Sequence, residues 1–207
     1  PKFFIGVTGL GNTFIKAKRL EGFIRVVFRI ALRRASFVFF QNDDDVNLFV
    51  NELGLERKKV LKFTSPGVDI QRFKMRDGYK MSGKLKVLLV ARLLWQKGVG
   101  DFVNVYKKLK EVGLDRYYIF TLVGEQDNEH PDKLLDDDVR EIEEIGIEWV
   151  PWTDLIEKYY ADNDVLLFMS KREGGPRAIL EASSTGMPTI GSNCIGVREL
   201  IFDGETG

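Results

Sequence analysis

A chain of 207 residues, 44% hydrophobic and 12% aromatic, has apolar material for one good core or two small ones. Its 31 basic residues balance 31 acidic ones, so no global field draws it to nucleic acid or to an acidic partner. A single cysteine, Cys194, excludes an intrachain disulfide framework and fits a reducing compartment, no secretory-signal pattern leads the sequence, and no apolar run reaches the ~18 residues of a membrane span.

In chain order, "FFIGV" at 3–7 reads as a buried strand. "GLGNTF" at 9–14 has two of the three glycines of a dinucleotide loop and is read as a turn. Residues 16–34 carry seven basic residues and one acid. Arg25, Arg29 and Arg33 fall four apart on one helical stripe, opposite an apolar face of Leu20, Phe23, Ile24, Val27 and Ile30 or Ala31. Two readings stay open and are compatible: a helix packed on a sheet, and a helix docked on an anionic membrane surface. "FVFF" at 37–40 is a second buried strand, and Asn42 caps a helix with Asp45 at its third position and Gly54 after its end. The stretch 64–84, with Pro66, Gly67, Gly78 and Gly83 and little periodicity, reads as a hinge between a partial first domain and a nearly complete second one.

Beyond it, "KVLLVA" (86–91), "YYIFTLV" (117–123), "IEWV" (147–150) and "VLLFM" (165–169) read as buried strands. Phe102, Val105, Tyr106, Leu109 and Val112 give a helix over 101–112 that Gly113 stops. Strand and helix in alternation predict an α/β fold with parallel sheets covered on both faces. Asp43–Asp45 and Asp136–Asp138 both contain a D-x-D spacing, but each sits where acids favour a helix start or a solvated face, so no metal site is expected. His130 lies in a polar surface run, and core packing is the reading for Trp149 and Trp152.

The most informative stretch is "KREGGPRAILEASSTGMPTIGSN", 171–193. A strand ends at Ser170, a loop "KREGG" follows, and Pro176 opens a helix that runs to Gly186. Glu173 thus lies on a loop at the carboxyl end of a strand, the edge where open α/β sheets bind ligands, and Glu181 lies inside the helix. The interval puts one carboxylate at a helix mouth and the other about a turn along, with the N–H groups of Gly174 and Gly175 as further donors.

"EGGPRAILEASSTGMPTI" followed by "GVRELIFDGETG" resembles the signature of the family 4 retaining glycosyltransferases (glycosyltransferase group 1), whose fold is GT-B. "ARLLWQKGVGDFV" (91–103), "SPGVDIQRF" (65–73) and "LVGEQ" (122–126) resemble further motifs of that family, in the same order, and from about residue 36 to the end the chain follows it. The resemblance implies two Rossmann-like domains with parallel sheets. Residues 1–66 would be the end of the acceptor-side domain, and 67–207 most of the nucleotide-sugar-binding domain. It implies Arg92 and Lys97 on the donor diphosphate, a guanidinium fork and a compact ammonium suited to two phosphates without a metal. It implies Gly124 beside the nucleotide, Glu181 on the ribose hydroxyls, and Glu173 at the donor sugar near the reacting carbon. Gly174, Gly175 and Pro176 would complete that loop, with Arg172 and Lys171 assisting at phosphate or sugar.

Such enzymes use a nucleotide sugar as substrate and need no cofactor. The expected reaction is transfer from a UDP-hexose or UDP-N-acetylhexosamine to a lipid-linked saccharide in polysaccharide synthesis. The expected place is the cytoplasm, peripherally on the inner face of the membrane through residues 16–34, with no nucleic-acid partner. Members of this family also place a first-domain histidine against the donor sugar. No residue here matches that motif, so the histidine is expected before Pro1, the closing helices after Gly207, and the chain is expected to be a piece of the enzyme. The alternatives are a GT-B sugar-nucleotide epimerase and a non-catalytic partner subunit that binds the nucleotide sugar.

Overall fold

A computed structural model describes residues 2–9, 21–78 and 83–207. The chain forms two compact units. The first is Pro1–Pro66 with two short later segments, Arg172–Pro176 and Cys194–Leu200; the second is Gly67–Lys171, Arg177–Asn193 and Ile201–Gly207.

In the first unit, β1 (Phe4–Val7), α1 (Glu21–Arg34), β2 (Phe37–Phe40), α2 (Asp43–Asn51) and β3 (Val60–Lys62) alternate. The strands among the described residues form a parallel sheet in the order β1-β2-β3, with Phe4 paired to Phe37 and Val38 to Val60. Val38, Phe40, Phe49 and Leu32 form its core, with Phe28 edge-on to Phe49 at 5.6 Å. Residues 10–14 of the "GLGNTF" turn and residues 16–20 of the basic stretch lie outside the described residues, as do the side chains of Phe23 and Ile24. Where α1 is described, its packed seam differs from the expected apolar face. Phe28, Leu32 and the following Ala35 meet the core, whereas Val27 and Ile30 are 49% and 52% exposed. The helix has apolar residues on two sides, and the 3.6 period alone did not decide which side meets the sheet.

The second unit contains β4 (Leu85–Val90), α3 (Val99–Glu111), β5 (Tyr118–Val123), α4 (Asp136–Glu144), β6 (Glu148–Val150), α5 (Ile156–Asp162), β7 (Val165–Phe168), α6 (Arg177–Ser184) and β8 (Thr189–Gly191). Its sheet is parallel throughout, in the order β6-β5-β4-β7-β8. Successive strands run outward on one side of β4 and then resume on its other side at β7. This doubly wound order opens a crevice at the carboxyl ends of β4 and β7, the switch point where such sheets take ligands. The continuous apolar sequences of β4 and β7 follow from burial on both faces, and Leu89, Phe102, Phe120, Leu122 and Ile142 form the core.

The segment expected to be a hinge is mostly exposed but is pinned to the second unit at Phe73 and Arg76. Phe73 is buried edge-on against Tyr160 at 5.6 Å, and Arg76 donates to the carbonyls of Asn163 (2.6 Å) and Gly186 (3.2 Å). These anchors place residues from Gly67 onward in the second unit, and the change of unit falls between Pro66 and Gly67. Residues 79–82 lie outside the described residues. Trp149 is half-buried as expected, with its indole N–H donating to the Gly124 carbonyl at 3.0 Å. Trp152 departs from the core reading: it is 61% exposed, two residues beyond the end of β6, where the chain has left the sheet.

Candidate functional site

Within the second unit, the loops after β4, β5 and β7 meet at the switch-point edge because glycines let their backbones approach. An added Cβ at Gly124 would collide with the Ala91 carbonyl oxygen, and one at Gly98, whose φ is +78°, with the Met169 carbonyl oxygen. Hydrogen bonds complete the junction. The Gln96 carbonyl accepts from the Lys171 amide (2.9 Å) and the Ser170 hydroxyl (3.3 Å), so the loop after β4 is tied to the end of β7. Arg92 and Lys97 both ride on this loop. Arg92 is exposed and donates to Asp127 at 2.7 Å; an ion pair of that exposure is worth little and yields readily to a stronger anion.

The same loop is braced by the turn around His130. The His130 Nδ1 accepts the Asp132 amide (3.0 Å), and Asp132 in turn accepts the Gln96 amide (2.7 Å). His130 is thus the loop residue expected, with a local bracing role. Asp136–Asp138 open α4, where the Asp138 carboxylate accepts the Leu135 amide at 2.7 Å.

Glu181 sits in the middle of α6, almost fully buried, on the face that turns toward α5. Its Oε2 accepts the Tyr160 hydroxyl at 2.9 Å, and its Oε1 faces the Arg177 guanidinium, one turn earlier, at 3.3 Å. Burial first, and then the charge of Glu181, push the Tyr160 phenol well above the ordinary tyrosine value, so this hydroxyl remains a donor.

The remaining site candidates belong to the first unit, where Arg172–Pro176 is held by a buried polar cluster. Asn42 caps α2 as expected, accepting the Asp45 amide at 2.8 Å, and both hydrogens of its amide group are also used, one on Asp45 Oδ2 (2.9 Å) and one on the Gly174 carbonyl (3.1 Å). The Arg172 guanidinium pairs with Asp45, which is fully buried. Ser65 donates to the Gly175 carbonyl at 3.4 Å. An added Cβ at Gly174 would meet the Thr8 carbonyl oxygen, and one at Gly175 the Thr64 carbonyl oxygen. Since the Gly174 carbonyl faces Asn42, the Gly175 N–H on the same planar, trans peptide points the opposite way.

Glu173 follows Arg172 in this held segment, its amide donating to the Ile195 carbonyl at 3.0 Å. The second segment of the unit is tied by Glu199, which accepts from the Asp43 amide (2.6 Å) and from Lys62 (3.1 Å). Lys62 also donates to Asp43 at 2.7 Å, and that hydrogen bond is the main cause raising its ammonium above the ordinary lysine value. At the carboxyl ends of this unit's strands lies a cavity of about 300 Å³, lined in part by Thr8, Phe39, Gln41, Phe63 and Ser65, with Phe39 and Phe63 stacked at 5.7 Å.

Arg92 and Lys97 thus share one loop of the second unit, Gly124 closes that loop's neighbour, and Glu181 stands on α6 of the same unit. Arg172, Glu173, Gly174, Gly175 and Pro176 fall in the first unit. Sequence reasoning missed Asp45 as the residue that holds the Glu173 segment, and Tyr160 as the partner of Glu181. Asp45 carried only a helix-start signal, and Tyr160 carried none.

The family profile described as glycosyl transferases group 1 matches residues 71–207, more than half of the chain. A curated relative from Campylobacter jejuni, an N,N'-diacetylbacillosaminyl-diphospho-undecaprenol alpha-1,3-N-acetylgalactosaminyltransferase, is 27% identical over 222 residues, covering 100% of this chain and 56% of its own. The amylovoran biosynthesis glycosyltransferase AmsK of Erwinia amylovora is 27% identical across 75% of this chain and 39% of its own. This chain therefore spans about half or less of these relatives' lengths.

Among solved structures, Anabaena HepE in complex with UDP-glucose superposes with a TM-score of 0.71 at 18% identity, over 98% of this chain and 56% of that one. A sucrose-phosphate synthase from Thermosynechococcus elongatus gives 0.76 at 17% identity, over 100% and 54%. At such identities the likeness concerns fold alone, and it bears out the GT-B fold expected from the sequence.

Proposed function

Because this chain belongs to the group 1 glycosyl transferases, we propose that it works in polysaccharide synthesis, moving a sugar from a nucleotide donor, a UDP-hexose or UDP-N-acetylhexosamine, to a lipid-linked saccharide with retention of configuration. The observation that carries the reading is the switch-point edge of the second unit. One loop there presents both Arg92 and Lys97, and glycine contacts and hydrogen bonds to the end of β7 hold it in place. The leaving UDP gains negative charge as the glycosidic bond breaks, and a guanidinium fork with an ammonium stabilises that charge without a metal. Glu181 takes the ribose hydroxyls, with Gly124 giving the nucleotide close access to the backbone. Glu173 stands at the donor sugar, where its carboxylate offsets positive charge developing on the ring, and Gly174, Gly175 and Pro176 shape that segment. Arg172 serves by holding the segment through Asp45.

The Campylobacter relative's name, with its undecaprenol-linked acceptor, and the UDP-glucose in the Anabaena structure support the donor and acceptor classes assigned here. The cavity beside Phe39 and Phe63 offers aromatic faces and hydroxyl partners suited to an acceptor saccharide. No helix among the described residues is long and apolar enough to cross a membrane. Peripheral docking on the inner leaflet through the basic residues of 16–34 would bring the protein to the membrane that holds a lipid-linked acceptor.

The test is to incubate the intact protein with a panel of sugar nucleotides, with and without undecaprenol-linked saccharides, following released UDP and the anomeric configuration of the product by NMR. Acceptor-dependent release with the donor's configuration kept is the expected result. Acceptor-independent consumption of the donor would point to an isomerising enzyme, and no turnover with any donor would overturn the reading.

A further inference from the structure

We propose that Tyr160 is a positioning residue for the nucleotide: its hydroxyl fixes one carboxylate oxygen of Glu181 from the protein interior and so aims the other at the ribose. The inference rests on the reading of Glu181 as the ribose ligand. Glu181 Oε2 accepts the Tyr160 hydroxyl at 2.9 Å, and that tyrosine is fully buried. Among the described residues, Glu181 Oε1 meets the Arg177 guanidinium, at 3.3 Å, from a side chain that is 61% exposed. The two oxygens are therefore unequal. The inner one is held by a hydrogen bond that water does not reach, and the outer one by a surface contact that a pair of ligand hydroxyls can replace.

The tyrosine is itself fixed. Phe73 packs edge-on to its ring at 5.6 Å with a 76° interplanar angle, and Phe73 is anchored in turn because its carbonyl accepts the Ser184 hydroxyl. Ser184 lies on the same helix as Glu181. Arg72 stacks over Phe73 at 5.5 Å and pairs with Glu157 of α5 at 2.9 Å. Residues 72–73, α5 and α6 thus close a loop of contacts around the Tyr160 ring. A buried phenol needs a partner in any fold, and a backbone carbonyl would serve. Here it donates instead to a carboxylate that is costly to bury and that the fold could have replaced with an apolar side chain. That expense is explained if the carboxylate must be rigid in one rotamer with a single oxygen available.

The experiment compares binding of UDP and of 2′,3′-dideoxy-UDP to the intact protein by calorimetry, for wild type, Glu181→Gln and Tyr160→Phe. Glu181→Gln should largely remove the preference for the ribose form. Tyr160→Phe should narrow that preference by roughly two- to tenfold, the worth of a hydrogen bond that no longer orients the carboxylate, while dideoxy-UDP binds as before. Should Tyr160→Phe fail to fold, 4-methylphenylalanine placed at 160 fills the lost volume without a donor and should narrow the preference equally. A Tyr160 variant that lowers the melting temperature but keeps the full preference, beside a Glu181→Gln that loses it, overturns the positioning role alone. If Glu181→Gln also keeps the preference, the assignment of Glu181 to the ribose fails, and this inference with it.

Discussion

Replacing Arg172 separates two roles for it, phosphate ligand and structural anchor. Its guanidinium pairs with Asp45, which has no exposed surface, while the Arg172 side chain is 15% exposed. Arg172→Ala would strand a buried carboxylate. Removing one partner of a buried pair costs ~3–5 kcal/mol, and since the Asn42 amide still donates to Asp45 Oδ2 at 2.9 Å, about 3 kcal/mol is expected. At roughly 2–4 °C per kcal/mol for a chain of this size, the melting temperature should fall by about 6–12 °C. Asp45→Asn should cost less, because the amide replaces charge and keeps shape. The double variant should recover part of the loss, since neither charge is then left alone. Differential scanning calorimetry reads the stability, and titration calorimetry of UDP reads the site. The anchor reading requires a large loss of stability with a small change in UDP affinity at temperatures where the variant is folded. Unchanged stability with a tenfold or greater loss of UDP affinity would refute it and return Arg172 to the phosphates.

Replacing Arg92 and Lys97 together with alanine should weaken UDP far more than uridine, since each charge-assisted bond contributes ~1.5–3 kcal/mol, and calorimetry with both ligands checks it. Glu173→Gln should lower kcat strongly with UDP affinity little changed, because its interaction grows in the transition state, whereas Glu181→Gln should raise KM for the donor more than it lowers kcat; steady-state kinetics distinguish the two. Changing Arg29, Arg33 and Arg34, all exposed on α1, to glutamine should reduce sedimentation with anionic vesicles, by ~1 kcal/mol for each charge that reaches the surface, and the difference from wild type should shrink as salt rises.

Local chemistry made much of this molecule legible from its sequence. Apolar runs such as "VLLF" and "KVLLV" are strands buried on both faces, where no polar alternation survives. The Asn42 cap lay in plain view because a cap is made by residues three apart in the chain. The order of the motifs carried the family, since each motif is a contiguous segment. Pairings across long separations had no such signature. The partner of Glu181 is 21 residues earlier and that of Arg172 is 127 residues earlier, and nothing in the periodicity of either segment announces a hydrogen bond to the other.

The sheet order shows the same division. That strands exist follows from composition, but which strand lies beside β4 is decided by the crossover to β7, and with it the position of the switch point. Sequence alone determined which residues could carry charge, donate or cap. Tertiary structure decided which face of α1 packs, where an exposed connecting segment is pinned by Phe73 and Arg76, and that a fully buried Asp45 spends its charge on Arg172. The reason is physical. Propensity, periodicity and capping act over one or two turns of chain, whereas burial and ion pairing depend on distances that only the packed fold creates.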